Sequence, residues 1–270
     1  ETWNIKIEDI EKKINKKTKA LMIPHIYGFP CDMDKITKLC KKYKLYLIED
    51  AAEMIGQNYK GKPCGSFGDI STFSFYANKH ITTGEGGMIF TNNFKLHNKF
   101  RLLKNLNFGT KERFNHSEIS WNYRLTNMQA SLGLSQFKRI KNIIKKKRFI
   151  GNFYYNKFKN NHKILVQANK LDYAKNIYWI FGIILRNKNK NFRKTLQKKL
   201  LSKKIETRPF FYPMHKQDIF IKKGYFKNEK YPCSEFLSSN GFYIPSGLNL
   251  TNNQLNYVAD TINKLLTNKF

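Results

Sequence analysis

The chain has 270 residues, of which 50 are basic and 19 acidic, and its formal net charge is +31. This length is enough to bury a sizeable core and suits one large domain with a smaller one. So high a charge is typical of proteins that bind polyanions, but Lys outnumbers Arg 42 to 8 and the lysines are spread along the chain. Because Arg is preferred for phosphate and base contacts, the composition argues against nucleic acid as the main partner.

The cysteines indicate neither a metal site nor a disulfide framework, since no two of them have C-x-x-C spacing: Cys31, Cys40, Cys64 and Cys233. A reducing compartment fits this usage, and no secretion signal is recognisable, so we expect a cytoplasmic protein. The longest apolar run, Tyr178 to Leu185, is too short to cross a bilayer. No membrane association is therefore expected.

The first predicted elements form a strand, helix and strand in succession. Ala20 to Ile23 reads as a short buried strand, and Asp32 caps a helix with apolar residues at helical spacing. Leu45 to Ile48 is a continuous apolar strand of the buried parallel kind. In such sheets ligands lie at the carboxyl ends of the strands, where Asp50 falls. Asp50 is either a ligand-binding carboxylate or a plain helix cap.

The next stretch contains one isolated lysine. Ile70 to Phe75 predicts a strand, and Gly84, Gly86 and Gly87 predict a turn with positive φ that leads into a strand from Met88 to Phe90. Between Ser71 and Met88 the only basic residues are Lys79 and His80. A lysine beside apolar aromatics can lose solvation, which lowers its pKa and makes it an amine nucleophile. The alternative is an ordinary surface lysine.

Farther along, Phe94 to Leu106 predicts a helix and Asn107 to Ser120 a polar loop. Thr126 and Gln129 form a capping box for a helix that we expect to end in the basic run Lys145 to Arg148. The polar stretch from Phe149 to Lys170 indicates a boundary. We therefore predict a large domain over residues 1–150 and a small α/β domain over residues 151–270.

In the second domain, Trp179 to Leu185 and Ile205 to Phe211 predict strands, and Phe192 to Leu201 predicts a helix between them. A capping box at Thr251 and Gln254 begins the last predicted helix.

Three ordered segments together resemble a known family. They are Ile48–Gly56 (IEDAAEMIG), Ser74–Met88 (SFYANKHITTGEGGM) and Trp121–Ala130 (WNYRLTNMQA). All three are similar to segments of the pyridoxal-phosphate (PLP) sugar aminotransferases of the DegT/DnrJ/EryC1/StrS group, and the resemblance extends through essentially the whole chain. It implies an α/β fold of PLP-dependent transferase fold type I, with a mixed, mostly parallel sheet in the large domain.

The resemblance also implies site residues. Lys79 is expected to bind PLP covalently as a Schiff base, and Asp50 to pair with its pyridine nitrogen. Glu53 is expected to lie against the cofactor ring, and Ser74 to donate to the phosphate. Asn122 is expected to reach across a homodimer interface to the phosphate held by the other subunit; from the residues alone it is a plain turn Asn.

Thr207 to Pro209 and Tyr212 to His215 resemble most the perosamine-synthase-like members, which aminate a 4-keto sugar nucleotide. This implies glutamate as amino donor and a nucleotide-sugar substrate that contacts Arg208, Tyr212 and His215. The net positive charge would help attract this anionic substrate. Two alternatives within the family are amination at C3 and dehydration. Members that dehydrate replace the lysine by His; here the Lys is present, which favours transamination.

Two further expectations concern the whole chain. In the family, a segment of roughly a hundred residues, domain-scale in length, precedes the point that matches Glu1. We therefore expect the large domain to be amino-terminally incomplete here, because the chain is either a fragment or shorter than its relatives. The competing function is a basic nucleic-acid-binding protein on an inactive aminotransferase scaffold, which the charge supports. Binding to a phosphate backbone would weaken steeply with added salt, whereas a covalent cofactor bond would persist.

Overall fold

The computed structural model describes residues 1–108, 112, 114–186 and 191–267. In these residues the helices are α1 (Ile7–Glu11), α2 (Met33–Tyr43), α3 (Phe94–Leu103), α4 (Asn127–Phe137), α5 (Ile140–Phe158), α6 (Phe192–Ser202), α7 (Asp218–Lys222), α8 (Pro232–Asn240) and α9 (Asn252–Thr267). The strands are β1 (Ala20–Pro24), β2 (Tyr46–Asp50), β3 (Asn58–Tyr59), β4 (Lys62–Pro63), β5 (Ile70–Ser74), β6 (Gly87–Phe90), β7 (Ile164–Val166), β8 (Lys170–Leu171), β9 (Ala174–Lys175), β10 (Phe181–Leu185), β11 (Arg208–Pro209) and β12 (Gly241–Ile244).

The chain divides into two compact units. The first, called here the N-terminal unit, comprises Asn4–Ile144 and Lys170–Trp179. The second, the C-terminal unit, comprises Glu1–Trp3, Lys145–Asn169 and Ile180–Phe270. The domain boundary at residue 150 that we inferred from the sequence stays a prediction.

The N-terminal unit is built on a four-stranded sheet in the order β1-β2-β5-β6. The pairs β1–β2 and β2–β5 are parallel and β5–β6 is antiparallel, so the sheet is mixed and mostly parallel. The register pairs Asp50 with Pro24 on one side and with Thr72 on the other. The carboxyl ends of three neighbouring strands therefore meet at one edge of the sheet.

Helix α2 packs one apolar face into the core of this unit. Its buried residues recur every three or four positions: Met33, Ile36, Leu39 and Cys40. The helix begins where predicted, since the side chain of Asp32 accepts a hydrogen bond from the backbone N–H of Lys35. It ends at Tyr43, and the next residue, Lys44, has a φ of +52° that reverses the chain toward β2. The predicted strand, helix and strand are confirmed.

The connection from β5 to β6 carries Lys79. Strand β5 ends at Ser74, five residues before Lys79, so the lysine lies within the connection. Gly84 and Gly86 have positive φ as predicted, at +79° and +137°. Gly87 does not; it is the first residue of β6 and pairs with Ser74. The chain thus reverses one residue earlier than predicted.

The long helix predicted after Thr126 is two helices. The capping box of Thr126 and Gln129 is present, but α4 ends at Phe137 and α5 begins at Ile140. The prediction that the helix ends in the basic run was wrong, because α5 continues to Phe158. Apolar residues at helical spacing beyond the run bury that part of the helix: Ile150, Tyr154 and Phe158.

Other predicted boundaries moved by a few residues. Helix α3 stops at Leu103, because Leu106 and Asn107 have positive φ. The polar loop from Asn107 to Ser120 lies partly outside the described residues, at 109–111 and 113. The predicted strand from Ile205 to Phe211 has only Arg208 and Pro209 in the sheet.

The C-terminal unit has an antiparallel four-stranded sheet in the order β11-β12-β10-β7. All five residues of β10 are buried. The last helix, α9, starts with the predicted capping box, in which the backbone N–H of Gln254 donates to Thr251 Oγ1. Across the described parts of the chain, helices are either too short or too polar to span a bilayer.

Candidate active site

Lys79 lies in a buried position of the N-terminal unit. Its side chain is 10% exposed, and its Nζ is 3.8 Å from the ring centroid of Trp179. Burial lowers the pKa of Lys79, while the negative charges of Glu53 and Asp50 oppose this change. The amine is therefore a better nucleophile at neutral pH than an ordinary surface lysine, as the sequence predicted.

Glu53 is the acidic neighbour of this amine. Its Oε1 lies 3.9 Å from Lys79 Nζ, and its side chain is 8% exposed. Burial raises the pKa of Glu53 to about 8, and the nearby charge of Asp50 acts in the same direction, while Lys79 and a hydrogen bond from the backbone N–H of Tyr27 oppose it. Burial thus disfavours charge on both partners, and their mutual attraction favours it.

Asp50 and Ser74 end two strands of the same sheet. Asp50 is the last residue of β2, and its Oδ1 accepts from the backbone N–H of Ala52 at 3.1 Å. Ser74 is the last residue of β5, and its Oγ accepts from the backbone N–H of Tyr76 at 3.2 Å. In that hydrogen bond the hydroxyl of Ser74 is the acceptor, so its own hydrogen can be donated elsewhere.

A buried histidine and glutamate brace this edge of the sheet. His25 Nε2 lies 3.0 Å from Glu49 Oε1, and both side chains are fully buried. His25 Nδ1 accepts from the backbone N–H of Cys31, so the proton of a neutral ring is on Nε2 and is donated to Glu49. The backbone N–H of Phe67 also donates to Glu49. Burial acts to raise the pKa of Glu49, but hydrogen bonds from His25 and from the backbone outweigh this effect. The pKa of Glu49 is therefore lowered. Glu49, next to Asp50, is thereby fixed as an anion.

The Glu49 pair extends to a cluster of possible metal ligands. One ligand atom each from His25, Glu49 and Cys64 lies within 4.8 Å of the others. Burial raises the pKa of the Cys64 thiol. The observed contacts of His25 and Glu49 are hydrogen bonds that hold loops in place, so we assign the cluster a structural role.

Two residues near the amine were missed from sequence. Trp179 covers Lys79, and its Nε1 donates to the backbone carbonyl of Asn78 at 3.0 Å. Tyr27 stacks with Trp179 at 6.2 Å between ring centroids and binds Glu53 through its backbone N–H. No local motif signals these contacts, since Asn78 and Trp179 are 101 positions apart in the sequence.

The chain was compared with protein-family models. The model described as the DegT/DnrJ/EryC1/StrS aminotransferase family matches residues 1–263. The chain belongs to this family. The aminotransferases of this family depend on pyridoxal phosphate, so the cofactor class predicted from the three motifs is confirmed.

Characterised relatives are similar over nearly the whole chain. GDP-perosamine synthase of Escherichia coli O157:H7 is 42% identical over 272 residues, which cover 100% of this chain and 71% of that protein. GDP-perosamine synthase of Vibrio cholerae is 38% identical over 263 residues, which cover 97% of this chain and 70% of that protein. The comparisons do not favour the alternative of a nucleic-acid-binding protein.

Solved structures of aminotransferases share the fold. PseC of Helicobacter pylori, an aminotransferase involved in the biosynthesis of pseudoaminic acid, has a TM-score of 0.90 and 28% identity, covering 97% of this chain and 70% of its own. Spr1654 of Streptococcus pneumoniae, in its PLP form, has a TM-score of 0.89 and 21% identity. The match covers 97% of this chain and 72% of the Spr1654 chain, and it supports the fold alone. The predicted fold type I is confirmed.

In this DegT/DnrJ/EryC1/StrS aminotransferase, Asn122 lies in the connection between α3 and α4. It is exposed, and its Oδ1 accepts from Arg124 Nε at 2.8 Å. Its backbone forms an isolated bridge with Asn105. The single chain therefore leaves the side chain of Asn122 accessible from outside, and its assigned contact with a neighbouring subunit stays a prediction.

The three predicted substrate residues lie in the C-terminal unit. Arg208 is exposed, with Glu206 at 3.5 Å. Tyr212 is also exposed. His215 is held differently, since its Nε2 lies 3.0 Å from Glu235 Oε1. Hydrogen bonds from Lys216 and His215 lower the pKa of Glu235 to about 2. Glu235 therefore stays anionic and fixes the orientation of the His215 ring.

Proposed function

We propose that this chain is a PLP-dependent aminotransferase that transfers an amino group from glutamate to the C4 ketone of a nucleotide-linked 4-keto-6-deoxy sugar. The observation that supports it most directly is the buried amine of Lys79 beside Glu53, at the edge of the sheet where Asp50 ends β2. The similarity to GDP-perosamine synthases supports the sugar substrate, and the similarity to the lipopolysaccharide biosynthesis protein RfbH of Salmonella typhimurium supports a role in polysaccharide biosynthesis.

The residues at this edge fit the proposed cofactor. PLP needs an amine for covalent attachment, a carboxylate for its pyridine nitrogen and donors for its phosphate. Lys79 offers an amine whose pKa is lowered, Asp50 a carboxylate at a strand end, and Ser74 a hydroxyl at the end of the neighbouring strand. All three belong to the N-terminal unit.

When bound, PLP supplies an aldehyde that accepts the amino group and a ring that takes up electrons from the substrate carbon. Asp50 holds a proton on the ring nitrogen by its negative charge. Lys79 Nζ takes the proton from the substrate carbon and returns it as a general acid–base group. Glu53, next to this amine, sets how readily Nζ gives up its proton.

We assign further residues to subunit assembly and to substrate binding. We assign the second phosphate contact to Asn122 of the partner subunit in a homodimer. Arg208, with its fork of N–H donors, is suited to the diphosphate of the nucleotide sugar. Tyr212 and His215 are assigned to the same substrate, and Glu235 orients the histidine.

Covalent trapping tests the cofactor and its lysine. The 270-residue protein is incubated with PLP, reduced with borohydride and digested, and the modified peptide is identified by mass spectrometry. We expect the reduced adduct on Lys79, and its loss in Lys79→Ala. Lys62→Ala, at an exposed lysine of the same unit, is the matched control and keeps the adduct. A reducible adduct on another lysine would show that the assignment is wrong.

Amination of sugar nucleotides tests the reaction. GDP-, dTDP- and UDP-linked 4-keto-6-deoxyhexoses are supplied separately with glutamate, and products are followed by mass and by NMR at C4. We expect one of them to gain an amino group at C4 while glutamate becomes 2-oxoglutarate. Amination at C3, or loss of water without amination, would instead support the other two reactions of the family.

A further inference from the structure

The indole of Trp179 lies directly on the amine of Lys79. Nζ is 3.8 Å from the ring centroid, well inside the range of about 6 Å over which a cation is attracted to an aromatic face. Trp179 is 4% exposed and the Lys79 side chain 10% exposed. Because little water screens the contact, the attraction between ring and ammonium is stronger than at an exposed site.

Two contacts hold the indole in place, and a third feature confines the backbone of the same residue. Its Nε1 donates to the carbonyl of Asn78, the residue before the lysine. Tyr27 stacks on it with an angle of 18° between the rings. At Gly28 the backbone approaches so closely that a Cβ would lie 2.6 Å from the backbone nitrogen of Trp179. The ring therefore has one defined position relative to the lysine.

The same segment also fixes the acidic neighbour of the amine. The backbone N–H of Tyr27 donates to Glu53 Oε2 at 2.6 Å, while Glu53 Oε1 lies 3.9 Å from Lys79 Nζ. Tyr27 thus connects the aromatic and the acidic contacts of one amine. Trp179 and Glu53 both favour the ammonium form of Lys79, and both are in contact with Tyr27.

We propose that Trp179 is a positioning residue for Lys79, whose indole face holds the ammonium form of Nζ at a fixed point whenever the amine is not covalently attached to the cofactor. The catalytic consequence rests on the proposed function. A free lysine side chain has several rotatable bonds, so an amine that must give and take protons at one carbon benefits from a fixed resting position. The indole also offsets part of the loss of solvation that burial imposes on the charge.

Fluorinated tryptophans test the contact without changing its shape. Trp3→Phe and Trp121→Phe leave Trp179 as the only tryptophan, and tryptophan, 5-fluorotryptophan or tetrafluorotryptophan is incorporated there. Each fluorine withdraws charge from the ring face and weakens its attraction for a cation. In the cofactor-free protein we label amines with acetic anhydride at pH 7.5 and quantify the Lys79 peptide. Exposed Lys95 in α3 is the internal reference.

We expect labelling of Lys79 to become faster with each step of fluorination, by roughly three- to tenfold in the tetrafluoro protein, because more of the amine is uncharged. Labelling of Lys95 should not change. Equal labelling of Lys79 in all three proteins would overturn the proposal, because desolvation and packing are the same in each. This readout needs no cofactor, so its failure is distinguishable from a failure of the borohydride test.

A second measurement examines the consequence for catalysis in the PLP-loaded protein. Trp179→Phe keeps an aromatic face and Trp179→Leu keeps only apolar cover. We expect kcat to fall about tenfold or more in the leucine variant and clearly less in the phenylalanine variant, with KM changed less than kcat in both. Equal losses of kcat in the two variants would contradict a role for the aromatic face.

Discussion

Lys79 Nζ and Glu53 Oε1 lie 3.9 Å apart, and about nine-tenths of each side chain is buried. Burial lowers the pKa of the lysine and raises the pKa of the glutamate to about 8. The two pKa values are therefore closer together than in water, and proton occupancy of one partner depends on the other. A pair of this kind can hold or release a proton near neutral pH, which a general acid–base lysine requires.

Glu53→Gln should make Lys79 more reactive, but only at pH values where Glu53 is charged. Above pH 8 the carboxylate of the natural protein holds the proton on Lys79, and the amide of the variant does not. We expect acetic anhydride to label Lys79 in the variant about tenfold faster at pH 9, and at a similar rate below pH 7. Glu85→Gln, at an exposed glutamate in the connection that carries Lys79, is the control. A difference that persists unchanged at pH 6 would contradict this coupling.

Asp50→Asn should keep the fold and slow the reaction. The side chains have similar shapes, and the amide oxygen of Asn can still accept from the backbone N–H of Ala52. The variant lacks the charge that favours a protonated ring nitrogen. We expect the single-turnover rate with glutamate to fall about 10²-fold, comparable to the loss of one preorganised electrostatic group. Asp172→Asn, at an exposed residue of the same unit, should keep the natural rate. Unchanged rates in Asp50→Asn would exclude the proposed role.

Signals between neighbouring residues predicted much of the fold. Asp32 with Lys35, and Thr126 with Gln129, are spaced so that a side chain meets a backbone N–H one turn later, and both helix starts were correct. The ends of α4 and α5 were not predicted, because the basic run resembled a helix C-terminus. Helix α5 continues past the run, where Ile150, Tyr154 and Phe158 are buried by packing that the local sequence does not reveal.

Sequence signals located part of the candidate site, and its residue roles stay predictions. Motifs resembling those of the family drew attention to Asp50, Glu53 and Lys79, and the structure places mutual charge interactions among these three. Trp179 and Tyr27 could not be predicted, because their contacts with the site depend on how distant segments pack. No spacing rule relates Trp179 to a lysine 100 positions earlier.

Lys147→Met should stabilise the protein, most strongly at low pH. Lys147 is buried inside the C-terminal unit, and its Nζ donates to the carbonyl of Ser246 at 2.9 Å. Burial lowers the pKa of Lys147 to about 7. Below pH 7 the folded protein bears the full cost of a buried charge. As pH rises above 7 the folded state releases the proton while the unfolded chain retains it, so this cost decreases toward pH 10.

The stabilisation by Lys147→Met should therefore be about 2–3 kcal/mol larger at pH 6 than at pH 9. Urea unfolding at the two pH values measures this difference. Lys145→Met changes an exposed lysine of the same helix and should have no such pH dependence. A stabilisation that is equal at both pH values, or larger at pH 9, would show that Lys147 is not destabilised by burial of its charge.

Gly28→Ala should destabilise the protein and displace Trp179, and Gly61→Ala separates the two causes. Both glycines have positive φ, +100° and +81°, so alanine is strained at either position by about 1 kcal/mol. A Cβ at Gly28 would also lie 2.6 Å from the backbone nitrogen of Trp179, whereas one at Gly61 meets nothing within 4 Å. Overpacking of this kind typically costs about 1–3 kcal/mol.

We expect the free energy of unfolding, measured with urea, to fall by about 2 kcal/mol more in Gly28→Ala than in Gly61→Ala. We also expect Gly28→Ala to increase labelling of Lys79, because the indole no longer covers the amine. Equal losses in the two variants would mean that the backbone at Gly28 does not hold Trp179 in place.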